Sequence, residues 1–449
     1  MPRRSAVLRL AKVHAGGHGY YLEAAGAGAG VGMEAPGQWL GAGSAALGLH
    51  GVVDASALGA VLRGDDPATG QRLGPWHDRV TVAAFDLSFC APKSVSLLHA
   101  LAPPDVAGEV HEAHGRAVAA ALDYVERRAV AVRRPVDGTP VPVAADAVPA
   151  AGFVHRVSRA LDPHLHTHVV LANLGRDGTG RFSAVDGRGL YAHAAAADAL
   201  YHAHLRHELT SRLGVAWEPL RSGRADVAGI GHEARLAFSQ RAVAIAEHLA
   251  SRRLGGPRAK DIAGHATRPG RDLTVSVEGL RPGWERRARE VGLGPGRLEA
   301  TLDRVSRRAG PGPDEARRGA VVDALGRRAP TAFRRDVVRA WCTTLPAGAP
   351  APAVEAAAER TVGSLATTPS HAARAERPGV GERRYALDGR RHDGPGLDPA
   401  SAGRHASRVA GRDGDQLAAL LARRDMRVAR DPGRGLGRTV DVDGGMGLG

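Results

Sequence analysis

The predicted strands and long helices of the sequence are compatible with an α+β fold in which helices pack on a sheet. Three stretches have the alternation or the β-branched composition of strands, at 80–90, 151–158 and 165–173. Three longer stretches repeat apolar residues at helical spacing, at 93–130, 190–213 and 232–253. Asp162-Pro163 is a turn signal, and it predicts that the second and third strands pair as a hairpin.

The N-terminal quarter contains short predicted elements. Residues 5–13 fit a strand or the start of a helix, and residues 24–33 are almost all Ala and Gly, as in a flexible connection. Asp54 is a predicted N-cap for the helix that follows it. In the strand Phe85–Phe89 the polar residues alternate with apolar ones, so Asp86 and Ser88 share one face.

A helix begins after that strand, at Pro92 and Lys93. Its N-terminus, together with the Lys93 ammonium, would suit a phosphate. Residues 105–132 are predicted to form a long amphipathic helix, and the prolines of 134–149 exclude helix there.

The C-terminal half is predicted to be helical at first and then irregular. The helix 190–213 ends at Gly214, and its histidines are interpreted as packing or surface residues: His193, His202, His204 and His207. A further helix is predicted around Trp284 and another over 332–341. The chain beyond residue 345 has few large apolar residues and is predicted to be mostly disordered.

The histidines of the predicted hairpin indicate a metal site. His164, His166 and His168 alternate with other residues, so they share one face of a strand. His155 on the preceding strand can lie opposite them. Imidazoles that converge from two neighbouring strands can hold a metal ion and leave coordination positions open, as catalytic metals require.

Composition favours a nucleic-acid partner. The 449 residues carry a formal net charge of +14, and almost every basic residue is arginine. Cys90 and Cys342 are far apart and offer no disulfide framework, so we expect a reducing cytoplasm. We also expect no signal peptide and no membrane segment, because no run of about 18 apolar residues occurs.

These motifs together resemble the relaxases of the TrwC/TraI (MobF) type, the histidine-hydrophobe-histidine endonucleases that start conjugative DNA transfer. The resemblance covers roughly residues 1–290 and depends on four stretches: Tyr20-Tyr21, FDLSFCAPKSVS at 85–96, the strand with His155, and DPHLHTH at 162–168. It implies an antiparallel five-stranded palm with packed helices. It divides the chain into a relaxase domain (1–300), a short helical extension (301–345) and a disordered tail (346–449).

The resemblance also assigns roles to residues. It implies that His155, His166 and His168 bind a divalent cation, Mg²⁺ or Mn²⁺. Tyr20 is the implied nucleophile, with Tyr21 as the close alternative. Asp86 is the implied carboxylate, which either accepts the tyrosine proton or orients a metal-binding histidine.

The implied reaction is nicking and rejoining of single-stranded DNA at a transfer origin, through a 5′-phosphotyrosyl intermediate. That bond conserves the phosphodiester energy, so the strand can be resealed. The second tyrosine pair of many family members is absent from 24–33, and no GxxxxGK[ST] occurs. We therefore expect a separate helicase and a coupling protein as partners.

Three other functions fit parts of the sequence. A rolling-circle replication initiator would use the same chemistry at a different origin. A non-catalytic DNA-binding remnant of a mobile element would keep the basic charge but lose the reaction. A metal-dependent hydrolase of small molecules would need neither the basic charge nor the tyrosine pair.

Overall fold

The computed structural model describes residues 8–387, except 15–16, 18, 27–35, 74–80, 137–138, 222, 268–275, 303–311 and 366–383. Its strands are β1 Arg9–His14, β2 Gln38–Leu40, β3 Val82–Cys90, β4 Ala131–Val136, β5 Thr139–Ala147, β6 Ala150–Val157, β7 Pro163–Ala172, β8 Gly175–Asp177, β9 Phe182–Ser183, β10 Thr331–Phe333 and β11 Arg384–Ala386.

The helices of the described residues include two short ones near the N-terminus and two very long ones in the middle of the chain. They are α1 Gly19–Gly26, α2 Gly41–Ala46, α3 Ala55–Arg63, α4 Lys93–Leu101, α5 Pro104–Arg128, α6 Gly187–Leu213, α7 His232–Ala237, α8 Gln240–Ser251, α9 Pro257–Ala266, α10 Val277–Glu290, α11 Pro295–Glu299, α12 Glu315–Gly326, α13 Arg334–Cys342 and α14 Ala351–Gly363.

The central sheet has five antiparallel strands in the order β1-β3-β7-β6-β2. This confirms the α+β fold and the five-stranded palm. The predicted hairpin is also confirmed, because β6 pairs with β7 and places His155 opposite His166. A second sheet, in the order β4-β5-β8-β9, includes the proline-rich residues that exclude helix.

The two faces of the central sheet pack against different parts of the protein. Phe85, Leu87 and Phe89 of β3 belong to the larger apolar core, which α4, α5 and α6 share. On the opposite face, Val13 and Phe153 belong to a smaller core with residues of α1 and α3. The histidines of β7 share this second face, and their half-buried side chains leave it partly open to solvent.

Two predicted helices are interrupted in the structure. The helix predicted over 93–130 is two helices, because Ala102 is extended and Pro103 and Pro104 begin a new helix there. The helix predicted over 232–253 is also two, α7 and α8. Phe238 at the break is completely buried, and the backbone N–H of Gln240 donates to the Asp162 carboxylate at 2.8 Å, which starts α8.

The prediction of disorder beyond residue 345 is wrong for α14. Trp341 of α13 is buried and donates from its indole nitrogen to the Thr361 hydroxyl of α14 at 3.0 Å. The buried Arg206 guanidinium of α6 donates to the carbonyls of Cys342 and Leu345. Apart from 346–365 and 384–387, the predicted tail lies outside the described residues.

Because α13 and α14 contact α6, the extension packs against the helices that cover the sheet. The packing of the helices therefore does not mark a boundary at residue 300. The division of the chain there stays a prediction about which part carries the function.

Gly348, between α13 and α14, tests whether this part of the chain packs on α6. It has φ +76°, and an added Cβ would lie 1.9 Å from the backbone oxygen of Ala203 in α6. Gly292 has a similar φ of +72° but open space around it. Gly292→Ala should lower the free energy of unfolding by about 1–2 kcal/mol, the cost of a left-handed alanine.

Gly348→Ala should lower the free energy of unfolding by clearly more, because α14 must also move away from α6. The measurement is urea unfolding of both variants beside the original protein. Equal losses of unfolding free energy in the two variants would show that the chain around Gly348 does not pack on α6 as described.

Candidate active site

Three histidines come together on the open face of the sheet. The ring centroids lie 5.2 Å apart for His155 and His166, 5.3 Å for His155 and His168, and 5.2 Å for His166 and His168. His164 stacks on the ring of His166 at 4.4 Å. The alternation along β7 and its pairing with β6 produce this arrangement directly.

Two of these imidazoles have one ring nitrogen held by a neighbouring acceptor. Nδ1–H of His166 donates to the His164 carbonyl at 2.8 Å, and Nδ1–H of His168 donates to both Asp86 carboxylate oxygens at 2.9 Å. We assign the tautomers from these partners. Nε2 of each ring is then the atom with a lone pair for a metal, which is the usual arrangement of histidine ligands.

Burial keeps His164 and His166 neutral. It lowers the pKa of His166 well below its ordinary value, and it lowers the pKa of His164 to about 3. The other histidines of the group add to both effects. A neutral imidazole is the form that binds a metal ion.

The two tyrosines reach the same face from α1 but make different contacts. The Tyr20 hydroxyl lies 3.2 Å from Nε2 of His155. The Tyr21 hydroxyl donates to the Asp86 carboxylate at 2.9 Å. Tyr21 is buried, whereas Tyr20 is partly exposed. Burial first, and then the Asp86 charge, raises the pKa of Tyr21 well above its ordinary value, while the Arg9 charge lowers it.

Asp86 connects these groups. Asp86 is 8% exposed, and its carboxylate accepts hydrogen bonds from Tyr21 and His168. The Ser88 hydroxyl also donates to it, at 3.4 Å. Asp86 and Ser88 do share a face, as predicted, and β3 pairs Ser88 directly with His168.

The fit of a metal ion can be judged from these contacts. Within the part of the chain that the structure describes, no three His, Cys, Asp or Glu side chains are already grouped as a metal-binding set. Nε2 of His155 instead contacts the Tyr20 hydroxyl. The mutual spacing of the three rings, with Nδ1 of both His166 and His168 already hydrogen-bonded, fits one cation at the Nε2 atoms once His155 turns from that hydroxyl.

The structure also places supporting residues that the sequence did not reveal. Behind β7, the fully buried His114 ring contacts the Thr167 hydroxyl at 2.7 Å and the Tyr201 hydroxyl at 2.8 Å. Thr167 lies between His166 and His168, so His114 holds the histidine strand from the core side. Its position on a helix 53 residues away gives no signal in the sequence.

The turn before the histidines is fixed by a second buried group. The Asp162 carboxylate accepts from the backbone and the side chain of Gln240 and from the Arg287 guanidinium. The Lys93 ammonium donates to the Pro163 carbonyl at 2.7 Å. Burial lowers the pKa of Lys93 to about 8.

The phosphate site predicted at the N-terminus of α4 does not form. The Asp226 carboxylate accepts from the backbone N–H and the hydroxyl of Ser94 there. Lys93 is directed to Pro163 instead.

The histidines of α6 are packing residues, as predicted. His193 is buried and contacts the Tyr124 hydroxyl at 2.9 Å, and Nδ1 of His204 accepts from the backbone N–H of Ala351 at 3.1 Å. His202 is also buried.

Comparison with known proteins decides the family. The sequence model described as TrwC relaxase matches residues 5–291. The chain belongs to the TrwC relaxase family. The sequence resemblance is therefore confirmed. None of the helices that the structure describes combines the length and the apolar composition needed to cross a bilayer.

Relatives among curated and solved proteins agree with this. The multifunctional conjugation protein TraI of Escherichia coli is 30% identical over 285 residues, which is 61% of this chain and 15% of TraI. The TraI protein of strain K12 matches equally. The chain therefore matches only about 15% of the length of these relatives.

Two solved structures of the conjugative relaxase TrwC have a similar fold. A metal-free complex with oriT DNA has a TM-score of 0.57 and 29% identity, over 64% of this chain and 99% of that chain. A metal-bound complex with oriT DNA has a TM-score of 0.58 and 30% identity, over 64% and 98%.

The buried His114 predicts how stability depends on pH. Burial lowers its pKa from 6.5 to about 3. Between these pH values His114 binds a proton in the unfolded chain but not in the folded protein. The contribution of neutral His114 to the free energy of unfolding is complete above pH 6.5. It is lost as the pH falls toward 3, at up to about 1.4 kcal/mol per pH unit. His114→Gln should show a shallower loss of unfolding free energy between pH 6.5 and 5.

Urea unfolding at several pH values measures this slope. An equal slope in the variant and the original protein would mean that His114 titrates normally in the fold.

Proposed function

We propose that this relaxase nicks and rejoins one DNA strand at a transfer origin, with Tyr20 as the nucleophile and His155, His166 and His168 as the cation site. The observation that carries the proposal is the contact of the Tyr20 hydroxyl with Nε2 of His155, at 3.2 Å. It brings a reactive hydroxyl next to the histidine group on the open face of the sheet.

The contacts favour Tyr20 over Tyr21. Attack on a phosphate requires that the hydroxyl reach the substrate and lose its proton. Tyr21 is buried, its hydroxyl is bound to Asp86, and burial raises its pKa. Tyr20 is partly exposed, and its hydroxyl lies beside the histidine group on the open face of the sheet.

Asp86 acts in this proposal as an orienting residue. Its hydrogen bonds with His168 and Tyr21 fix the ring of one ligand and the phenol beside the nucleophile. A carboxylate bound to Nδ1 makes Nε2 of the same imidazole a better ligand.

The cation site belongs to the proposal as well. His155, His166 and His168 would hold the divalent cation, and we propose Mg²⁺ or Mn²⁺. When bound, the cation would supply positive charge to the non-bridging oxygens of the scissile phosphate. Because three neutral imidazoles add no charge, the full charge of the cation acts on the DNA.

The products follow from the nucleophile. Attack by the Tyr20 oxygen on phosphorus forms the tyrosyl–phosphate bond, and the bond from phosphorus to the 3′ oxygen breaks. The Tyr20 hydroxyl gives up its proton and the 3′ oxygen takes one up, giving a free 3′-OH and a 5′-phosphotyrosyl end. Attack by a 3′-OH on that phosphate reverses the steps, which allows strand transfer.

Conjugation is the proposed context. The solved relatives are TrwC complexes with oriT DNA, and the curated relatives are conjugation proteins. A rolling-circle initiator would use the same site, but no observation favours it here. A separate helicase and a coupling protein stay predicted partners, and residues 1–300 stay the proposed relaxase domain.

Covalent capture tests the nucleophile. The protein is incubated with labelled single strands from its own element's transfer origin and Mg²⁺ or Mn²⁺, and the products are separated on a denaturing gel with and without protease. Tyr20→Phe should form no protein–DNA adduct. Tyr21→Phe, the matched control, should still form it, because its hydroxyl does not attack the phosphate.

Adduct formation by Tyr20→Phe and its loss in Tyr21→Phe would assign the nucleophile to Tyr21. Cleavage by the original protein without any adduct would indicate a hydrolytic nuclease. Metal binding without either product would favour a DNA-binding remnant.

Metal titration tests the cation site separately. His166→Ala combined with His168→Ala should lose Mn²⁺ binding and DNA cleavage together, because one ligand cannot hold the ion. His164→Ala should keep Mn²⁺ binding, since the His164 side chain only stacks on His166, and the backbone carbonyl that accepts from Nδ1 of His166 is retained. Isothermal titration gives the stoichiometry, and an unchanged value in the double variant would refute the ligand assignment.

A further inference from the structure

Arg9 lies on the edge strand of the sheet, in line with the candidate site. Strand β1 pairs Arg9 with Ser88 of β3, and β3 in turn pairs Ser88 with His168 of β7. Residues paired across antiparallel strands share a face. Arg9, Ser88 and His168 therefore form one row across the open face of the sheet.

The spacing of the strands gives the distance along this row. Neighbouring strands lie about 4.8 Å apart, so the backbones of Arg9 and His168 are separated by roughly 10 Å. The long side chain of arginine covers much of that distance. The Arg9 charge already influences the hydroxyl of Tyr21, which places the guanidinium near the tyrosine pair.

In the part of the chain that the structure describes, no carboxylate pairs with the Arg9 charge. Arg9 is exposed, and among the described residues it forms no ion pair with an aspartate or glutamate. Asp86, two residues from Ser88 on β3, accepts hydrogen bonds from Tyr21 and His168. By contrast, Arg224 of the same region is bound to both carboxylate oxygens of Asp198 at 2.8 Å.

We propose that Arg9 binds the DNA phosphate next to the scissile phosphate, on the β1 side of the histidine site. An unpaired guanidinium can bind two phosphate oxygens at once, and this contact fixes both distance and orientation. The inference rests on the proposed function, because it takes the histidine group as the position of the scissile phosphate.

The chain connection gives this contact a consequence for the reaction. Strand β1 ends at His14, and α1, which carries Tyr20, begins at Gly19. The same short segment therefore carries the phosphate-binding residue and the nucleophile. A DNA strand held at Arg9 is placed relative to the Tyr20 hydroxyl before attack, so Arg9 acts on both binding and rate.

The binding experiment uses the Tyr20→Phe protein, so that no DNA is cleaved. Labelled single strands that span the mapped nick site are titrated against Arg9→Gln and Lys12→Gln in this background. Lys12 is the matched control, because it lies on the same strand with its side chain on the opposite face and loses the same charge. Melting temperatures confirm that both variants fold.

We expect Arg9→Gln to weaken binding about 10- to 100-fold, the range for a charged hydrogen bond. The slope of log affinity against log salt should become shallower by about 0.7, the value for one phosphate contact on a single strand. Arg9→Lys should recover part of the loss. Lys12→Gln should bind nearly as well as the parent protein.

Neutral phosphates locate the contact. Strands that carry one methylphosphonate at each position around the nick are titrated in turn. At the contacted position the replacement should weaken DNA binding by the parent protein. It should cause no further loss of affinity in Arg9→Gln. At other positions the two losses should add.

Two results would overturn the inference. One is Arg9→Gln binding as well as Lys12→Gln, and the other is additive losses at every position. A protein with intact Tyr20 that forms no DNA adduct would overturn the proposed function instead, and the binding titration would still report on Arg9 by itself.

Discussion

The antiparallel pairing of β6 with β7 is the constraint on which the candidate site depends. It places His155 opposite His166 and leaves His168 one step along the same face. Because side chains alternate along a strand, a shift of one residue would turn the histidines into the apolar core. The register therefore decides whether a cation site exists at all.

Several groups outside the sheet hold this register. Leu161 in the turn has φ 57°, a left-handed conformation that is uncommon for a residue other than glycine, and its carbonyl accepts from the indole of Trp284 at 2.8 Å. The buried Asp162 carboxylate binds Gln240 and Arg287. The turn is thus fixed by α8 and α10, elements that follow it by more than 75 residues.

The sheet also separates two kinds of chemistry. On the helix side, His114 binds Thr167 and Tyr201 in a dry core and stays neutral. On the open side, Asp86 binds His168 and Tyr21 beside the partly exposed Tyr20. Rigid support from behind and access from the front are the combination that a positioned catalytic group needs.

Much of the sheet and of the histidine group could be predicted from the sequence. A period of two residues is a local pattern, and both Phe85–Phe89 and His164–His168 have it. The place of Tyr20 and Tyr21 came only from the family resemblance, since nothing local links α1 to a strand 135 residues away. The break before Gln240 and the helix α14 were not predicted. Both depend on distant partners, Asp162 for the first and Trp341 for the second.

Anomalous diffraction from crystals soaked in Mn²⁺ tests the central claim most directly. The account predicts one strong peak within about 2.2 Å of a ring nitrogen from each of His155, His166 and His168, with the Tyr20 hydroxyl beside it. A peak bound by other residues, or no peak in crystals of a protein that binds Mn²⁺ in solution, would contradict it.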